Sequence, residues 1–289
     1  MYIKRLLWAE KGFFYMVRTD MAAESVARAS DAVIGGVSSQ EAIDEQAGLR
    51  IERIHIFTQE AARLVGKAIG RYVTITLLGA GLEGYSDAFE LRAQVIAQEI
   101  GALMVKRTST LVVGLGNRDI TPDAVGPLCA DGIFATRHIK QFAPELDGGE
   151  LGEVSALQTG VLGQTGIEAS DIVKAVCSRI GAGCVIAVDA LACAQAETLG
   201  RTIQITDTGI SPGSGVANSR KELSQGTLGA RCIAVGIPTV IDYGEGEGAM
   251  MVTPRGIDAI VKNGAQYIAA GINLALQPSL DIADLRSLV

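Results

Sequence analysis

Long apolar runs are missing from this chain of 289 residues. Mean hydropathy is positive, at +0.29. Even so, Asp189 interrupts the run from Cys184 to Ala196, and Gly236 and Pro238 interrupt the next. Neither run reaches the ~20 continuous apolar residues of a spanning helix, so no membrane association is expected. At the N-terminus a Lys4-Arg5 pair precedes an apolar run of only Leu6 to Ala9, so no secretory signal is expected either. The five cysteines, Cys129, Cys177, Cys184, Cys193 and Cys232, form an odd set with no C-x-x-C pair. They read as free small hydrophobes in a reducing, cytoplasmic compartment. A basic excess is missing too: net charge is -7, which gives no footprint for direct nucleic-acid binding. Mild acidity is compatible with a basic protein substrate and equally with ordinary solubility.

Several catalytic signatures are also lacking. Gly114-Leu-Gly-Asn-Arg-Asp has no third glycine of a dinucleotide fingerprint, and Gly66-Lys67 lacks the glycine that opens a phosphate-binding loop. There is no G-x-S-x-G elbow. His55 and His138 are the two histidines, and neither lies in H-E-x-x-H. A Cys–His nucleophile would have to use Cys129 with His138.

What is present is 35 glycines in a chain that is 48% hydrophobic, which suits an α/β protein with many tight strand-to-helix turns. Thr19 to Gln46 is polar and rich in Ala and Ser. Strand patterns fall at Arg50 to Phe57, Tyr72 to Leu78, Leu111 to Leu115, Cys184 to Val188, Thr202 to Thr206 and Arg231 to Val235. Helical patterns fall at Glu60 to Ile69, Asp87 to Lys106, Thr121 to Arg137, Glu168 to Ile180 and Pro254 to Leu276. Short apolar strands separated by helices predict a largely parallel sheet covered on both faces. Gly244 to Gly248 reads as a connector.

The densest motif, Gly114 to Pro127, follows a strand and places Thr121 as a helix cap, Pro122 at the first helical position and Asp123 in the first turn. The helix macrodipole favours charge at Asp123. Asp189 follows Cys184-Val-Ile-Ala-Val, at the carboxyl end of an apolar strand, where α/β sheets place their crevices. Burial there is costly for a carboxylate without a partner or a function. Two such carboxylates can divide acid and base work, with Asp123 as base and Asp189 as the protonated partner. On these residues alone, a hydrolase stands close to a non-catalytic binding module.

The segments GLGNRDITPDAVGP, TGVLGQTGIEASDI (Thr159 to Ile172), VIAVDALA (Val185 to Ala192), IQITDTGISPGSGVANSRKELSQGTLG (Ile203 to Gly229) and IAVGIPTVID (Ile233 to Asp242) stand in fixed order. In order and spacing they resemble the spore germination proteases, from Arg18 to Asp242 and again from Met251 to Leu276. The resemblance implies a three-layer α/β sandwich with a largely parallel sheet, phosphorylase/hydrolase-like as in hydrogenase maturation peptidases. It implies an aspartate-type endopeptidase acting through Asp123 and Asp189, with no metal and no cofactor. The implied substrates are small acid-soluble spore proteins, degraded during germination in the spore core by a homotetramer. It further implies a zymogen cut between Asp20 and Met21, so that residues 1–20 are propeptide and 21–289 a single peptidase domain. Within the matched motifs, Gly116, Asn117, Thr121, Gly163, Thr165, Glu168, Asp207 and Ser214 are candidates to bind substrate or support the pair. The alternatives are a metal-dependent maturation-type peptidase, using the same aspartates as ligands, and a binding module on the same fold. The chain departs from the family pattern at Tyr243 to Met250, which replaces a connection several dozen residues longer.

Overall fold

The computed structural model describes residues 18–29, 35–84, 87–104, 108–143, 145, 150–213, 221–243 and 250–288. Residues 1–17, Lys106, Ser214 and the connector 244–248 lie outside them.

Strands β1 (Val37–Asp44), β2 (Leu49–Ile56) and β3 (Gly70–Leu77) pair antiparallel in that order. In β2, Leu49 and Ile51 point to one face of the sheet, while Ile54 and Ile56, of opposite parity, point to the other. Both pairs are buried because different helices cover the two faces. The second half of the sheet is parallel, with β4 (Thr110–Leu115), β5 (Val154–Gly160), β6 (Cys184–Cys193) and β8 (Arg231–Tyr243) in the order β8-β6-β4-β5. Every residue of β4 is buried, as suits a parallel strand covered on both sides. β7 (Thr202–Thr206) joins the halves, antiparallel to β3 and to β8, and β9 (Met250–Val252) pairs with the end of β8.

On one face lie α3 (Phe89–Leu103), α4 (Val125–Asp131) and α9 (Ile257–Leu276). Ile96, Cys129 and Ile268 from these helices share a core with Val112, Ile186 and Ile233. On the other face, α7 (Ala169–Ile180) and α8 (Gln225–Leu228) bring Val173 and Leu228 onto Leu111, Val185 and Cys232. The strand residues in these two clusters alternate, which is how one sheet serves two cores. α1 (Ala22–Ala29) and α2 (Gln59–Val65) cover the antiparallel wing around Ile54, Ile56 and Tyr72. α5 (Arg137–Phe142), α6 (Leu162–Thr165) and α10 (Ile282–Leu288) complete the helices of the described residues. The result is the expected three-layer α/β sandwich, with its parallel strands confined to the core. No helix of the described residues is long and apolar enough to cross a membrane.

Three expectations change. The polar segment 19–46 contains α1 and β1; β1 is exposed at nearly every position and so carries no alternating apolar signal. β5 was not expected from the sequence, because Ser155, Gln158 and Thr159 dilute its apolar residues. The single helix expected over 121–137 is three pieces: a 3-10 turn at Thr121–Asp123, then α4, then α5 after a break at 132–136.

Candidate active site

Beyond β4 the chain turns at Gly116, whose φ is +105°. A Cβ at Gly116 would lie 2.2 Å from the Asp123 carbonyl oxygen, so conformation and space both require glycine. The next backbone N–H, that of Asn117, donates to Asp123 Oδ2 at 2.7 Å. The Asn117 side chain braces the loop, its Oδ1 accepting from the Asp119 N–H at 3.0 Å and from Gln164 Nε2 at 2.8 Å. Asp123 ends a single 3-10 turn, and no side chain caps that turn, so Thr121 does not play the expected capping part. The donor aimed at Asp123 is a loop amide in place of a long helix start.

Gly126, in the first turn of α4, brings this loop down onto the sheet. A Cβ there would lie 2.2 Å from the Leu115 oxygen and 2.5 Å from the Val188 oxygen. α4 thus rests directly on the backbones of β4 and β6, close to Asp189. β6 does not end at Asp189 as expected; it continues to Cys193 alongside β8. What ends is the pairing with β4, whose last partner on β6 is Val188. Asp189 is therefore the first residue of β6 past the β4 ladder, which opens a crevice over it. It is only 5% exposed, and its Oδ1 accepts the Ala190 N–H at 2.9 Å. Burial pushes the Asp189 carboxyl well above the usual carboxylate range; repulsion from Asp123 adds to this, the Ala190 amide opposes it, and Asp20 adds further repulsion.

Asp123, Asp189, Gly116 and Asn117 line one cavity of about 540 Å³. Asp20 lines it as well. Its backbone N–H donates to the Ala192 oxygen at 2.9 Å, and its Oδ2 accepts the Ala192 N–H at 2.9 Å. Met21 is fully buried with Leu191, Cys193 and Ile241. Glu24, in α1, accepts the Ala194 and Gln195 N–H groups at 2.8 and 3.2 Å and the Thr19 hydroxyl at 2.6 Å. Lys67 Nζ donates to the Thr19 oxygen at 3.0 Å; burial pulls its ammonium down, while Asp20 and Glu24 hold it up. A larger cavity of about 660 Å³ lies between α3, α9 and α10 and contains neither aspartate of the pair.

Of the other predicted residues, Thr121, Gly163, Thr165, Glu168 and Asp207 do not line the cavity of about 540 Å³. Thr165 is tied into its own loop through Val161 and Ile167. Gly163 sits in α6 and Glu168 at the start of α7, and neither lines the cavity. Asp207 accepts the Arg71 N–H at 2.7 Å and Arg71 Nε at 2.8 Å, with Arg231 at 3.5 Å. Ser214 is outside the described residues. All five cysteines are free and buried, and burial pushes the Cys129 thiol up, which removes the thiolate a Cys129–His138 pair would need. Among the described residues, no group of three or more His, Cys, Asp or Glu side chains is placed to hold a metal ion. Gln204, which grips the segment around Asp20, was not foreseen; its trace in the sequence is a glutamine between two isoleucines in the strand 202–206.

Comparison with known proteins agrees with the resemblance. The sequence model of a family described as germination protease matches residues 16–245. The germination protease of Caldanaerobacter subterraneus subsp. tengcongensis is 38% identical over 320 residues, covering 94% of this chain and 98% of that protein. That alignment is longer than this chain, so the relative carries residues that are missing here. The germination protease of Bacillus velezensis is 42% identical over 258 residues, covering 86% of this chain and 68% of that protein. Among solved structures, the NiFe hydrogenase maturation protease HycI of Thermococcus kodakarensis shows a faint likeness, with TM-score 0.37 and 17% identity over 61% of this chain and 99% of that one. The chain belongs to the germination protease family.

Proposed function

We propose that this protease is a self-processing endopeptidase of the aspartic type, with Asp123 and Asp189 as its catalytic pair. The observation that carries the reading is the sharing of one cavity by the two carboxylates, with Asp189 buried and driven toward its neutral form. In that form Asp189 can donate to the oxygen of a peptide carbonyl, while Asp123, steadied by the Asn117 amide, takes a proton from water. The water oxygen adds to the carbonyl carbon, and the carbon–nitrogen bond breaks as the leaving amine gains a proton. Division of acid and base between two unlike carboxylates is a general way to run such hydrolysis near neutral pH.

The bond cut in self-processing is Asp20–Met21, and residues 1–20 are the propeptide. Support comes from Asp20 lying in the same cavity as the pair. The substrates cut in trans are small acid-soluble spore proteins, the enzyme works without a metal as a homotetramer, and its place is the spore core; these points rest on the family resemblance. A spore-protein peptide incubated with wild type, Asp123→Asn and Asp189→Asn tests the reading. Cleavage by wild type, with a loss of ~10³-fold or more in either variant, is the expected outcome for groups that move the proton. Full activity in either variant removes that aspartate from the mechanism. Loss of wild-type activity on chelation selects a metal-dependent peptidase, and binding without cleavage in all three selects a binding module.

A further inference from the structure

Gln204 lies on β7 with its side chain buried, and its carboxamide reaches across the Asp20–Met21 bond. Nε2 donates to the Asp20 carbonyl oxygen at 2.8 Å, and Oε1 accepts the Ala22 N–H at 2.6 Å. These contacts fall on the peptide groups that begin and follow the bond, so one planar amide fixes both the position and the tilt of the chain. Ala192 fixes Asp20 from the other side, through the paired contacts to its backbone N–H and its carboxylate. β6, which carries Ala192, and β7, which carries Gln204, lie on opposite sides of β8. The segment is therefore held between residues of two strands, with Asp189 on the same strand as one of them.

We propose that Gln204 is the residue that positions the Asp20–Met21 peptide for cleavage and that its Nε2–H stabilises the charge growing on the Asp20 oxygen. This rests on the self-processing reading above. When the water oxygen bonds to the Asp20 carbonyl carbon, the carbonyl oxygen gains negative charge, and a donor already in place needs no reorganisation to meet it. The tetrahedral centre then expels the Met21 nitrogen, and the two hydrogens of water end on the new carboxyl and the new amine.

The test follows removal of residues 1–20 by intact mass over time in the full chain, for wild type, Asp123→Asn, Gln204→Leu and Gln204→Glu, with a thermal melt of each. Gln204→Leu is expected to slow cleavage by the folded protein by ~100-fold, the scale of losing one such donor, and to melt below wild type because the buried Ala22 N–H loses its acceptor. Gln204→Glu keeps an acceptor for the Ala22 N–H but donates to the Asp20 oxygen only when protonated. Its rate relative to wild type should therefore climb as pH falls through the carboxylate range. If Gln204→Leu does not fold, Gln204→Glu decides: a relative rate that is flat across pH overturns the proposal. So does a folded Gln204→Leu whose rate stays within about threefold of wild type, far short of the loss expected for an oxyanion donor. Wild-type cleavage that Gln204→Leu leaves intact removes this inference alone. A wild-type chain that never loses residues 1–20, indistinguishable from Asp123→Asn, removes the self-processing reading with it.

Discussion

Two aspartates follow buried strand segments, Asp207 just past β7 and Asp189 where β6 leaves the β4 ladder, and their neighbours give them opposite work. Asp207, just past β7, accepts from the backbone and guanidinium of Arg71 and lies 3.5 Å from Arg231. It stitches β3, β7 and β8 together. Asp189 has an amide donor and two acidic neighbours, and burial drives it toward neutrality. The apolar run before Asp189 sets it apart in the sequence, whereas the arginines that hold Asp207 are remote in the chain and leave its structural part unread. Asp207→Ala should cost about 1–3 kcal/mol, the scale of lost charge-assisted hydrogen bonds, measured by denaturant unfolding. The self-cleavage rate of the folded fraction should stay at the wild-type level. A large fall in that rate with unchanged stability would place Asp207 in the active site after all.

At the scale of elements, the proposed active site depends on how closely α4 approaches the sheet. Gly114 and Gly126 face each other: a Cβ on Gly114 would lie 2.2 Å from the Gly126 oxygen, and one on Gly126 would meet Leu115 at 2.2 Å. Gly126→Ala should therefore lift the start of α4 away from β4 and β6. The expected stability loss is about 1–3 kcal/mol, as for other overpacked sites, seen as a lower denaturant midpoint. Cleavage should fall by more than the unfolded fraction explains, because Asp123 moves with the helix start. The motif Gly114 to Pro127 was legible as a strand, a turn and a helix start, since glycines and a proline mark such joints. The break after α4 was not legible, because nothing local distinguishes Gly132 from a tolerated helical glycine. The extension of β6 past Asp189 was hidden for a different reason: it depends on β8 continuing beside it at Gly236 and Ile237, a long-range pairing.

For the whole molecule, the cost of burying Asp189 must appear as a pH dependence of stability. In the unfolded chain this carboxyl ionises near 3.8, and in the folded chain its value is well above that. Between the two, the folded state holds a proton that the unfolded state has released, so stability falls as pH rises through that window. Below 3.8 both states are protonated and the penalty vanishes; above the folded value it is fully present. The sign is opposite to that of a salt-bridged aspartate, which stabilises the fold at neutral pH. Asp189→Asn keeps an oxygen to accept the Ala190 N–H and removes the charge. Its melting temperature should match that of wild type in acid and exceed it increasingly as pH rises toward neutrality. Thermal melts of both proteins across that range check this, and a constant difference between them would mean that Asp189 is not the group carrying the penalty. The catalytic assay should move the other way, with Asp189→Asn losing cleavage at every pH. A variant that is more stable yet inactive is what a functional carboxylate held against its own solvation predicts.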